Sequence, residues 1–117
     1  IEGGRIKAFA VTTAQPLSGH PVLKHYPTLQ EMGMKGFNLT IWHGLYAPKG
    51  TPPAITKMLN DALKKSLKDP EFIKKNEALG ALVVNDKRVE PEEHKKFVAA
   101  EMIKIKAAVD AAGKYAD

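Results

Sequence analysis

Apolar residues along the chain change their period several times, and each change marks an element. Ile6 to Thr12 reads as a short strand with apolar residues on both faces, the pattern of a strand covered on both sides in an α/β sheet. Residues 13–27 hold three prolines and a glycine and follow neither period, so they predict a loop. Thr28 can cap a short helix over Leu29–Met32 that Gly33 ends. Phe37 to Ala47 is rich in aromatic and β-branched residues and predicts a second strand, in which Gly44 marks a bulge or a close backbone approach.

Helical periodicity governs the rest. Ile55, Leu59, Ala62, Leu63 and Leu67 recur on one side of a helix predicted from about Pro53 to Lys68, with Thr51 as its cap. Asp69-Pro70 starts a second helix, through Leu79, that Gly80 closes, and Ala81–Val84 is a third short strand. Glu90-Pro91 opens a last helix to about Ala112. Acids crowd its first turn, as the helix dipole prefers, and Val98, Met102, Ile105, Val109 and Ala112 form its apolar stripe. Glu2-Gly3-Gly4-Arg5 reads as the close of a preceding helix. The predicted order is β-α-β-α-α-β-α, which is an α/β fold class.

Composition narrows the function more by exclusion than by assertion. The 117 residues are 44% hydrophobic and 26% charged, ordinary for one globular domain, and no apolar run reaches the length of a bilayer span. The absence of cysteine excludes disulfides, thiolate nucleophiles and cysteine-ligated metals. A net charge of +5 favours anionic partners in general, although the lysines are spread along helical faces.

Catalytic constellations are not visible. His20, His25, His43 and His94 match no metal spacing. Glu92 and Glu93 are explained by the helix start. Ser18 and Ser66 lack the setting of a nucleophile elbow, and neither Gly3-Gly4 nor Gly50-Thr51 has phosphate-loop spacing. The run Lys64, Lys65, Lys68, Lys74 and Lys75 has only Phe72 nearby to stack on a base, so it reads as a solvated helix face rather than a nucleic-acid site. The pair Trp42–His43 is the most suggestive. A tryptophan beside a strand glycine either lines a cleft or packs in a core.

Taken in order, several stretches resemble the solute-binding receptors of tripartite tricarboxylate transporters, the Bug receptors. They are Gly4 to Thr12, Tyr26 to Gly33, Phe37 with Trp42 to Pro52, Leu59-Asn60, Asp69-Pro70-Glu71, Leu79-Gly80-Ala81 and Pro91-Glu92-Glu93. The resemblance covers essentially the whole chain and fits the C-terminal part of such a receptor. It implies part of a type II periplasmic-binding-protein-like fold, in which two α/β lobes close on a small organic carboxylate and deliver it to membrane permease subunits, without enzymatic activity, cofactor, metal or nucleic acid, in the periplasm. Residues 1–38 would be the end of the second lobe, and residues 39–117 the crossover strand and the C-terminal half of the first. Thr12, Thr28, Trp42 and His43 would then lie nearest the cleft or hinge. Half-lobes leave sheet edges and apolar helix faces uncovered, so self-association of the chain is expected. The rival readings are a stand-alone protein-interaction module with a basic helical surface and a small lyase or transferase subunit.

Overall fold

The computed structural model describes residues 1–113. Three α-helices stand where the apolar period placed them: α1 at Pro53–Ser66, α2 at Pro70–Ala78 and α3 at Pro91–Ala112. Each starts on a proline at its first position, where the missing N–H costs nothing. Asp69 caps α2 by accepting the Phe72 N–H at 2.8 Å. The expected Thr51 cap of α1 is not made. Its hydroxyl instead donates to the Pro48 carbonyl at 2.8 Å, and Pro52 occupies the cap position. Gly80 (φ +81) follows α2 in the left-handed geometry that favours glycine.

Two single 3-10 turns were not anticipated, at Leu23–His25 and Lys87–Val89. The first is organised by His20, whose Nδ1 accepts the N–H groups of Val22 (3.1 Å) and Leu23 (3.0 Å). The second is the piece that α1 and α3 both pack on. Polar ties reinforce that junction: Asn60 donates to the Val89 carbonyl at 2.7 Å, and Lys64 reaches the Glu90 carboxylate at 2.7 Å.

The predicted helix over Leu29–Met32 is a run of turns instead. Thr28 and Glu31 form a reciprocal capping box, with Thr28 N–H donating to Glu31 Oε2 (2.8 Å) and Glu31 N–H to Thr28 Oγ1 (3.1 Å). Gly33 at φ +104 then stops the chain after one turn, too short to repay helix nucleation.

The three predicted strands are extended but not assembled into a sheet. One isolated parallel bridge joins Val11 and Thr28, with Val11 N–H donating to Pro27 (2.9 Å) and Leu29 N–H to Val11 (3.1 Å). Residues 5–10, 40–47 and 82–84 have no backbone hydrogen-bond partner among the described residues. Helices close their hydrogen bonds locally, whereas a strand needs a neighbour. Among the described residues, those buried from solvent are correspondingly few: Val11 (8% exposed), Leu17 (6%) and Thr28 (1%), all in the first 38 residues.

Candidate functional site

The extended segment 37–47 keeps the two-residue alternation of a strand even without a partner strand. Trp42, Gly44 and Tyr46 face α3. The Trp42 ring meets Phe97 edge-on at 5.4 Å and His94 at 6.1 Å. Tyr46 Oη lies 3.1 Å from His94 Nε2. Gly44 leaves room for that pair: a Cβ there would sit 2.6 Å from His94 Nε2 and 2.7 Å from Tyr46 Oη. This is the close backbone approach the glycine foreshadowed. Ile41, His43 and Leu45 take the other face, and Ile41 is 91% exposed.

On α3 His94 and Phe97 receive the aromatic side chains and Lys104 reaches the Asn38 carbonyl, with Glu101 beside Lys104. Spacings of three, four and three place them on one helix face. That face lies one step around from the expected apolar stripe, whose Met102, Ile105 and Val109 are exposed. Arg88 completes the cluster from the 87–89 turn, its guanidinium 5.9 Å from the Phe97 ring centre. Arg88 also holds Asp86 through its Nε (2.9 Å) and Nη2 (2.5 Å). Those side-chain bonds, aided by the Arg88 backbone N–H, lower the Asp86 carboxyl from its ordinary 3.8 to about 2.

At the start of the segment, one peptide unit is held from two sides. The Leu39 N–H donates to the Thr12 carbonyl at 3.0 Å, and the Asn38 carbonyl of the same unit accepts from Lys104 Nζ at 2.6 Å.

The four residues expected near a cleft or hinge occupy different settings. The Val11–Thr28 bridge sets Thr12 one residue beyond the partner of Thr28. Thr12 is exposed, while Thr28 is buried with its hydroxyl engaged by Glu31. Trp42 is half-buried against α3, and His43 points to the opposite, exposed face. Tyr46, Arg88, Phe97 and Lys104 were not singled out from the sequence, and His94 was weighed there only as a metal ligand. The detectable signal was the 94-97-101-104 spacing, masked by the stronger apolar stripe beside it. A surface depression of about 500 Å³ lies elsewhere, at the α1–α2 junction around Lys65, Asp69 and Phe72. It is wide open and carries none of this geometry.

Comparison with solved structures defines the class. The periplasmic binding protein BugD matches over 89% of this chain with a TM-score of 0.71 and 36% identity, and the chain accounts for 33% of that protein. The architecture is thus part of an α/β periplasmic-binding-protein fold. Residues 1–114 match the family described as "Tripartite tricarboxylate transporter family receptor", and the chain belongs to that family. Among curated relatives, a UPF0065 protein from the TAR-I ttuE-ttuC' intergenic region of Agrobacterium vitis is 37% identical over 97% of this chain and 32% of its own length. Protein BugT of Bordetella pertussis is 28% identical over 87% of this chain and 29% of its own length. The chain spans about a third of the length of these two relatives.

Proposed function

We propose that this chain is the C-terminal third of a periplasmic receptor that binds a small organic carboxylate and hands it to the permease of a tripartite transporter. The observation that carries this reading is the family match over residues 1–114 together with the fold match to BugD. The unassembled strands support it. Extended segments with apolar side chains and open backbone groups are what a piece of an α/β sheet presents when its neighbouring strands lie in the rest of the receptor.

In this reading residues 1–38 belong to the second lobe and residues 39–117 to the first, with 37–47 crossing between them. Thr12 and His43, both exposed, face the cleft, where a hydroxyl and an imidazole can donate to a carboxylate. Thr28 and Trp42 pack the hinge. Binding acts by population: a ligand that favours the closed receptor shifts it closed by the difference in its affinity for the two states.

The test is a thermal-shift screen of the intact receptor against acetate, succinate and citrate. A ligand at one hundred times its dissociation constant adds about 2.7 kcal/mol of stability, so the expected result is a dose-dependent rise in melting temperature with at least one of them. No shift with any carboxylate up to tens of millimolar defeats the reading.

A further inference from the structure

We propose that Lys104 is a hinge-positioning residue: with Thr12 it clamps the 38–39 peptide unit, the pivot between residues 1–38 and the helical remainder. The proposal rests on the receptor reading for its functional weight, but its geometry stands alone. A peptide unit has one donor and one acceptor, and here the two are satisfied from opposite parts of the chain. The Leu39 N–H goes to Thr12, and the Asn38 carbonyl goes to Lys104, 66 residues away in sequence.

Both sides of the clamp are anchored. Thr12 follows Val11, which is buried and bridged to the fully buried Thr28. Lys104 projects from α3 on the same face as Phe97 and His94, which seat Trp42 and Tyr46 further along the crossing segment. Glu101 Oε1, 3.5 Å from Lys104 Nζ, steadies the ammonium from one turn back. An ammonium-to-carbonyl bond of this kind is charge-assisted and stronger than a neutral one.

The two parts of the chain touch in a second place of a different character. Gly19 lies against the Glu77 side chain of α2, and a Cβ on Gly80 would lie 3.4 Å from Leu23 Cδ1 and 3.6 Å from His20 Cδ2. That contact carries no hydrogen bond among the described residues. A joint bonded on both sides next to a contact that is merely touching defines which one turns and which one parts. Rotation about 38–39 opens and closes the gap between loop 17–25 and α2. Lys104 sets how freely it turns. Its side chain is 48% exposed, so it acts through this bond rather than through core packing.

The test is made in the intact receptor, where this stretch carries no cysteine of its own and any cysteine elsewhere is replaced by serine. Nitroxide labels on Lys24→Cys and Lys74→Cys, both exposed positions, span the gap. Pulsed electron-spin distances are recorded for the labelled parent and for the same chain carrying Lys104→Met or Lys104→Arg, with helical circular dichroism alongside. The expected result is a narrow distribution in the parent, one at least about twice as broad with Met, and recovery of the narrow one with Arg, at unchanged helix content. Equal widths in parent and Met variant overturn the clamp, as does a parent already as broad as the variant. Broadening in both variants shows that packing rather than the charged donor holds the joint. Loss of helix in the Met variant also counts against the proposal, because a half-exposed side chain acting on one peptide leaves α1 and α3 intact. The readout needs no ligand. A failed carboxylate screen therefore defeats the receptor reading and leaves the clamp standing, and the reverse holds equally.

Discussion

Gly44 shows how one missing methyl group positions a cluster. Any larger residue would put its Cβ within 2.6 Å of His94 Nε2, well inside van der Waals contact. Gly44→Ala must therefore push the Tyr46–His94 pair apart. The atoms it meets are side-chain tips, and Tyr46 is 64% exposed, so the expected cost is below about 1 kcal/mol, visible as a small drop in denaturant midpoint followed through Trp42, the only tryptophan. At Asp86 the relevant change is protonation. Its folded carboxyl titrates near 2 because Arg88 stabilises the anion, whereas the unfolded group titrates near its ordinary 3.8. A depressed value means that the stabilisation is complete above the unfolded value and is lost as pH falls through about 2. The pair is largely exposed, so solvent screening limits its worth to at most about 1 kcal/mol. An NMR titration of the Asp86 carboxyl should give a midpoint close to 2, and Arg88→Gln should return it toward 3.8.

At the scale of elements, the seating of segment 37–47 on α3 depends on Phe97. Its ring meets Trp42 edge-on and lies beneath Arg88. Phe97→Ala removes an aromatic pair worth about 0.5–1.5 kcal/mol beyond its area. Trp42 emission should shift to the red as the indole gains water, whereas Phe97→Leu should shift it less. Unchanged emission would mean that the contact does not hold Trp42.

Helices and strands differed sharply in how well the sequence announced them. The period of Ile55, Leu59 and Leu63, and the Asp69-Pro70 and Glu90-Pro91 starts, were enough to bound α1, α2 and α3, because a helix satisfies its own backbone. Residues 5–10 and 40–47 show a strand's composition, yet pairing is a property of neighbours that the sequence of one segment does not contain. The same reason hid the partners of Trp42. The stronger periodicity is the hydrophobic stripe Met102–Ile105–Val109, but Trp42 is received by a histidine and a phenylalanine beside it, His94 and Phe97. Thr28 was legible as a cap because the Thr-x-x-Glu spacing is local. Its burial was not, since that comes from the bridge to Val11.

For the whole molecule the deciding quantity is surface. A compact monomer of 12.8 kDa exposes about 6,300 Å². This chain exposes 9580 Å², and its Cα radius of gyration is 17.2 Å. A compact chain of this length would have a radius near 13 Å. An excess of about 3,300 Å² is comparable with the area obligate partners bury. Much of it is apolar: Ile6, Phe9, Ile41 and Leu45 on the extended segments, and Met102, Ile103 and Val109 on α3. Alone in solution, the chain is therefore expected to cover these surfaces with other copies of itself. Its net charge of +5 opposes that step, because like-charged copies repel. The two effects respond oppositely to salt. Raising ionic strength from about 50 mM to 500 mM shortens the screening length about threefold and weakens the repulsion, while apolar burial and strand pairing remain. Sedimentation velocity across that range should show association that grows with both protein and salt concentration. A single species of 12.8 kDa at every condition, with a radius of gyration near 13 Å by X-ray scattering, would mean instead that the strands find partners within one chain. The open sheet edges on which the receptor reading leans would then be absent in solution.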